Sequence, residues 1–434
     1  MKIVNRYILN EITQYFLISL LAFVGMLLTI RMIKLANLVV NRGVAVTDIA
    51  RIFVAIIPTF LEIALPLAAL LGVMLAIARL SGDSELIVLR GSGLSIGRIV
   101  LPVALFGIII TLVGQFSSLF LRPWGFRTVQ DGLFQIAKSK SIAGLEAAVF
   151  NELGGITLYA QTVEHGSGKM QQVLVDDKRD QSLRRVIVAK RGLVRSHERE
   201  RSLSLVLYDG TIHEQVEGKY VLTRFVENTI LLDSNALYGD EEERRGRKVA
   251  ELTNEEIDEL SDRLRSLKTS VEGQPFELET WKGLARTALQ SDDIDNFLPK
   301  DISLRLNRNQ IEKGRRISLP CAALFLALLG LGLGVQPARA QRAWGASLSI
   351  GLGMGVFVLY YVAFSVGITL AESGALPALA ALWLPNIAVA VLAGFILRKI
   401  ALEQWSSVSI GLQDLLSRAY AILEHLLRFS RSRA

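Results

Sequence analysis

Arg31 and Lys34 stand three residues apart at the end of the first long apolar run, so on a helix both cations share one face. Such a pair does one of two things. It anchors a helix end by snorkelling to the water interface, or it grips an anionic group through charge-assisted hydrogen bonds. Glu62 lies in the middle of the second apolar run, where an ionisable side chain is costly. It is a candidate proton site, or a carboxylate that is protonated or paired. Ser84 precedes Glu85 and the apolar Leu86–Leu89, which predicts a short helix capped by the serine, with Glu85 in its first turn and Arg90 after it. Arg315 and Arg316 open the fourth apolar run.

Other chemistry is missing. Gly91–Arg98 is glycine-rich but lacks the Lys-Ser/Thr ending that grips nucleotide and magnesium. His197-Glu198 stops short of HExxH, and no GxSxG elbow occurs. The single cysteine, Cys321, excludes an internal disulfide and a multi-cysteine metal site, and four scattered histidines leave little for a metal. No catalytic residue, metal site or cofactor is expected. Any transport must draw its energy from a partner or an ion gradient.

The elements that position these residues follow from composition. Of 434 residues, 51% are hydrophobic and 21% charged, too apolar for an ordinary soluble domain. The formal charge of +7 fits basic flanks on membrane helices, and no nucleic-acid partner is expected. A helix needs about 20 apolar residues to cross about 30 Å of hydrocarbon. Six runs qualify: residues 12–33, 49–78, 99–121, 317–335, 343–370 and 378–397. The first lacks a signal-peptide cleavage pattern and is expected to be retained. Lys2, Arg6, Arg79, Arg90, Arg98, Arg339, Arg342, Arg398 and Lys399 fall on one side of a six-span layout, which makes that side cytoplasmic. Both termini are then cytoplasmic and the large polar insert lies on the far side. Arg31, Lys34, Arg42 and Arg51 break the rule and need their own explanation.

Between the two sets of three helices, about 144–235 reads as β. The candidate strands are Gly155–Glu164, Met170–Asp176, Arg184–Arg195, Ser202–Tyr208 and Lys219–Leu232, separated by turn signals that include Asp209-Gly210. This spacing suggests an antiparallel sandwich or barrel. Residues 239–309 are a charge-rich helical connector, and 399–434 form an amphipathic tail for the membrane face or a partner. The domains are therefore 1–121 (with a cytoplasmic segment at 79–98), 122–313, 314–398 and 399–434.

Several strings then carry a resemblance. Ala78–Ser95, with Ser84-Glu85 and Gly93-Leu94-Ser95, resembles the coupling segment of the LptF/LptG permease family. Glu312–Pro320 resembles that family's entry to its fourth helix, Leu382-Trp383-Leu384-Pro385-Asn386 its sixth-helix start, and Pro58 and Pro66 its second span. Pro123-Trp124, Ala143-Gly144-Leu145 and Val149-Phe150 look nearer to LptF than to LptG. The charged connector and the tail are longer than in the family.

The resemblance implies an α+β membrane protein with six transmembrane helices (3+3) and an inserted periplasmic β-jelly-roll-like domain. It implies a transmembrane subunit of an ABC-type lipopolysaccharide extractor in the inner membrane of a Gram-negative bacterium. ATP and magnesium would be held by two copies of an LptB ATPase. The other partners would be an LptG-like (or LptF-like) permease and, through the periplasmic domain, LptC and LptA. Ser84, Glu85, Leu86 and Arg90 would couple to the ATPase. Arg31 and Lys34 would contact the phosphorylated headgroup, which accounts for the orientation anomaly. Glu62, Arg315 and Arg316 are secondary candidates. The alternatives are another ABC-type export permease, or a non-transport membrane protein with a periplasmic β sensor domain.

Overall fold

The computed structural model describes residues 2–42, 46–92, 95–143, 145–153, 156–164, 167–177, 185–197, 202–216, 219–232, 249–271, 281–285, 298–335 and 346–402. The tail expected at 399–434 lies almost wholly outside them. The chain forms two compact units. One comprises Met1–Arg31, Ile57–Arg122 and Leu298–Ala434, and the other Met32–Ile56 and Pro123–Phe297.

Among the described residues, six helices are long and apolar enough to cross a membrane. In chain order the helices are α1 (Lys2–Arg42), α2 (Val46–Gly82), the short α3 (Glu85–Gly91), α4 (Ile96–Phe116), α5 (Arg122–Ala143), α6 (Asn254–Val271), α7 (Pro299–Gly334), α8 (Ala346–Glu372) and α9 (Ala378–Ala401). Several exceed their apolar runs. A π turn, Ser117–Leu121, joins α4 to α5, so the polar residues after 121 continue as helix. Pro123 brings no N–H for the carbonyl four residues back, and the helix widens there. Helix α7 begins at Pro299, ahead of its apolar stretch. Proline's fixed φ suits the first helical position, and the Asp301 carboxylate accepts the Leu298 N–H at 2.8 Å. Helix α9 starts at Ala378, where its apolar run begins, with Pro385 inside it.

Helices α2 and α7 form the centre of the helical unit. One side of α2 (Leu67, Leu70, Leu71, Met74) packs with Leu319, Leu326 and Leu333 of α7, Phe357 and Phe364 of α8, and Ile396 of α9. Its other side (Ala69, Val73, Ile77, Leu80) packs with Ile8, Ile12 and Phe16 of α1, Val103 and Phe106 of α4, and Ala327 and Leu331 of α7. Between lipid-soluble helices no hydrophobic effect favours one apolar contact over another, so close van der Waals approach must supply the association. Gly330 and Gly334, spaced small-xxx-small, supply it here. A Cβ at Gly330 would sit 2.6 Å from the Leu70 carbonyl oxygen, and one at Gly334 2.7 Å from that of Met74.

The second unit carries a six-stranded antiparallel sheet: β1 (Phe150–Leu153), β2 (Ile156–Glu164), β3 (Lys169–Asp177), β4 (Arg185–His197), β5 (Ser202–Val216) and β6 (Lys219–Leu232), joined in sequence order. The described strands thus make one up-and-down sheet rather than two stacked ones. Alternation sets the buried face: Ile156, Leu158 and Ala160 of β2 meet Val173 and Val175 of β3, Ile187 and Ala189 of β4, and Leu205 and Leu207 of β5. Phe134 of α5 and Leu145 join this core. The Asp209-Gly210 turn expected from the sequence is a correction. Both residues lie inside β5, with Tyr208 opposite Glu227 and Gly210 opposite Phe225. The irregularity is absorbed by Asp209 at φ 55°. β1 is an edge strand that the turn-and-alternation reading did not single out.

Helix α6 is capped reciprocally. The Thr253 N–H donates to Glu256 Oε2 at 2.7 Å and the Glu256 N–H donates to Thr253 Oγ1 at 3.3 Å. Burial raises the Glu256 carboxyl, but the Thr253 bonds and the Arg127 guanidinium outweigh it and hold the group below its ordinary value.

The Gly330 contact yields a prediction. Gly330→Ala forces a methyl against a helix backbone, an overpacking that costs roughly 1–3 kcal/mol. The variant is expected to unfold at a lower temperature in detergent, while Gly351→Ala, which meets open space, leaves the midpoint unchanged. Equal midpoints for the two variants would remove the close approach as a determinant.

Candidate functional site

The helical unit holds two polar constellations, one at the C-terminal end of α2 and one near its middle. The first joins α1 to the α2–α3 corner. Tyr7 and Glu11 are four apart and share a face of α1. Arg79 near the end of α2 pairs with Glu11, and its Nε lies 3.3 Å from Asp83. The Tyr7 hydroxyl donates to Glu85 Oε2 at 2.7 Å. Leu86 is buried in the same core as Ile8, Ile12 and Leu80, which pins α3 to the bundle. Ile87 and Val88 remain exposed, at 48% and 69%, and Arg90 sits exposed in the last turn.

The expected serine cap is a correction. Ser84 does precede α3, but it adopts a left-handed conformation (φ 63°) and its side chain makes no capping hydrogen bond. The corner Gly82-Asp83-Ser84 is too tight for the extended backbone that an N-cap needs. Ser84 therefore forms the bend, and its carbonyl still accepts the Val88 N–H at 3.1 Å.

The second constellation lies twenty residues before the end of α2, about 30 Å along the helix axis. Glu62 is 1% exposed there. Its Oε2 lies 3.2 Å from Arg122 Nε and 3.0 Å from Arg315 Nη2. Arg122, 2% exposed, also pairs with Glu312, and Glu312 lies 3.0 Å from Arg316 Nε. The five groups alternate in sign along a string, Arg315, Glu62, Arg122, Glu312, Arg316, and leave one net positive charge. Arg316 is fully buried; Arg315 at the other end keeps 28% of its side chain exposed. Glu62 is thus a paired carboxylate.

Proline shapes this site as well. Pro320 lacks the N–H that would close on the Arg316 carbonyl. Gln115 of α4 supplies the missing donor at 3.1 Å. Two residues further along α7, Asn386 of α9 donates to the Ser318 carbonyl at 2.7 Å and accepts the Tyr360 hydroxyl at 3.0 Å. Each bond satisfies a polar group that hydrocarbon would leave bare.

The structure therefore brings Glu62, Arg315 and Arg316 together, and separately Glu85, Leu86 and Arg90 on one short helix. Arg31 and Lys34 belong to α1 by backbone, and their side chains lie outside those described. Reasoning from the sequence missed Arg122, Glu312, Tyr7, Glu11 and Arg79. Glu312–Arg316 and Arg79–Asp83 carried a local signal, the four-residue helical spacing. Among the described residues no group of acidic, histidine or cysteine side chains has the arrangement of a metal site.

The alternating string has a consequence for stability. Removing one partner of a buried ion pair costs roughly 3–5 kcal/mol. Arg122→Gln leaves two neutral pairs, Glu62 with Arg315 and Glu312 with Arg316. Glu312→Gln leaves three guanidinium groups and one carboxylate. Glu312→Gln is therefore expected to lower the unfolding midpoint in detergent more than Arg122→Gln does. The reverse order contradicts the string.

Comparison with known proteins bears on both ends of the bundle. A protein of Rickettsia prowazekii (strain Madrid E), described as uncharacterized protein RP871, is 23% identical over 193 residues. The match covers 44% of this chain and 53% of that protein, so the chain spans about half the length of the curated relative it matches. The family model for the lipopolysaccharide export system permease LptF/LptG matches residues 6–399. That match runs through all six apolar helices, both polar constellations and the inserted sheet, and the chain belongs to the LptF/LptG permease family of multi-pass inner-membrane proteins.

Proposed function

We propose that the chain is a transmembrane permease subunit of an ABC-type lipopolysaccharide extractor, moving lipopolysaccharide from the inner membrane towards the outer membrane. The family match over residues 6–399 carries this reading. The antiparallel sheet inserted between two sets of three apolar helices supports it over an export permease with a mixed α/β extracytoplasmic domain. The subunit has no ATPase site of its own. ATP and magnesium bind to a partner ATPase, two copies of LptB in this reading, and the permease pairs with a second, LptG-like or LptF-like subunit. LptC and LptA receive the lipid from the sheet domain on the periplasmic side. The termini and α3 face the cytoplasm.

In this mechanism α3 is the docking helix. Exposed Ile87 and Val88 supply apolar contact and Arg90 supplies charge, while buried Leu86 ties α3 to the core. The bundle opens and closes as the ATPase dimer binds and hydrolyses ATP. The acyl chains lie against apolar helix faces. Arg31 and Lys34 take the lipid phosphates, the arginine with a planar fork and the lysine with a compact charge.

The test uses the purified complex in detergent. The wild-type complex is expected to bind lipopolysaccharide, with affinity that falls as salt rises. Arg31→Gln with Lys34→Gln is expected to keep basal ATP hydrolysis, lose lipopolysaccharide binding and leave any residue of it less salt-sensitive. No binding by the wild type contradicts lipopolysaccharide export. Unchanged binding by a folded double variant assigns the two cations to anchoring alone.

A further inference from the structure

We propose that Tyr7 is a positioning residue for ATP coupling: its hydroxyl ties the Glu85 carboxylate of the docking helix to α1, so that a load on α3 reaches the rest of α1. The proposal rests on the reading of α3 as the ATPase docking element.

Helix α3 has only seven residues and is held in two ways. Leu86 is buried among Ile8, Ile12 and Leu80, an apolar contact that resists separation but allows the short helix to roll. The 2.7 Å bond from Tyr7 to Glu85 is directional and removes that freedom. Glu85 follows directly on the left-handed corner at Ser84, so the carboxylate sits where α3 pivots on α2. On the other side Glu11 and Arg79 lock α1 to the last turns of α2, one helical turn along α1 from Tyr7. A force applied to the exposed Ile87–Val88 face therefore has a polar route into α1 that starts from α3 itself, through Glu85 and Tyr7, beside the route through Arg79 and Glu11. Helix α1 is a single unbroken helix from Lys2 to Arg42, and Arg31 and Lys34 belong to it. Within the first unit α1 is continuous helix as far as Arg31, so a shift at a foot bound to Glu85 is passed along its hydrogen-bonded backbone.

The alternative is an ordinary tyrosine whose ring covers the helix end and whose hydroxyl bond is incidental. Tyr7→Phe keeps the ring and deletes the bond, and so separates the two. The experiment uses the assembled complex with its ATPase in proteoliposomes, and measures ATP hydrolysed and lipopolysaccharide extracted. Tyr7→Phe is expected to leave assembly and basal ATP hydrolysis intact and to lower the lipid extracted per ATP. The expected loss is roughly tenfold, the equilibrium worth of a hydrogen bond to a charged acceptor. In a Glu85→Ala background, the same change is expected to have no further effect, because the acceptor is already gone. An unchanged ratio for Tyr7→Phe overturns the proposal. So does a loss of equal size in both backgrounds, which assigns Tyr7 a role independent of Glu85. If Glu85→Ala itself extracts lipid at the wild-type ratio, the docking reading of Glu85 falls, and this proposal falls with it.

Discussion

Burying Arg122 is the constraint around which the helical unit is arranged. A guanidinium at 2% exposure is a charge taken out of water, which is costly unless it is paired. It must meet carboxylates that are buried with it. Glu62 comes from α2, Glu312 comes from α7, and each brings a further arginine from α7. Two helices distant in sequence are thereby fixed in register at one level. The glycine contact between α2 and α7 fixes them again nearer the other end. Between these points the apolar side chains pack without needing specificity of their own.

The two polar constellations also divide the labour along the bundle. The charge string is buried and paired within itself, with Arg315 partly exposed at one end. The α1–α3 constellation is peripheral, with exposed apolar residues beside it. The first suits a static brace and the second a contact that takes load. Proline contributes at both levels of the brace. It releases the Arg316 carbonyl to Gln115 of α4, and it leads from a π turn into α5 just after Arg122.

Much of this was legible in the sequence, for physical reasons. Twenty apolar residues in a row have few alternatives to a buried or membrane helix, so all six were visible. Alternation made β2, β3, β4 and β6 visible within a residue or two at each end. β5 was truncated because Asp209-Gly210 is a turn signal in isolation, yet cross-strand pairs on both sides hold it in the ladder. Helices α5 and α7 ran beyond their apolar stretches because intrahelical hydrogen bonds do not stop where hydrophobicity does. Glu62 was visible as an anomaly, but its partners were not. Arg122 follows an apolar run and looks like an interfacial anchor, and its second partner Glu312 is 190 residues away in sequence. Ser84 carried a strong capping signal, and the tight corner defeated it. Tyr7 carried no signal, since a tyrosine near a helix start is unremarkable until its acceptor is placed beside it.

The central claim is that this chain works inside a lipopolysaccharide-extracting complex driven by a partner's ATP. Native mass spectrometry of the full-length chain, purified in mild detergent from membranes of its own host, tests that claim most directly. The account predicts an assembly containing a second permease subunit, two copies of an ATPase and bound lipopolysaccharide. A chain that emerges alone or as a homo-oligomer, carrying phospholipid and no ATPase, would contradict it.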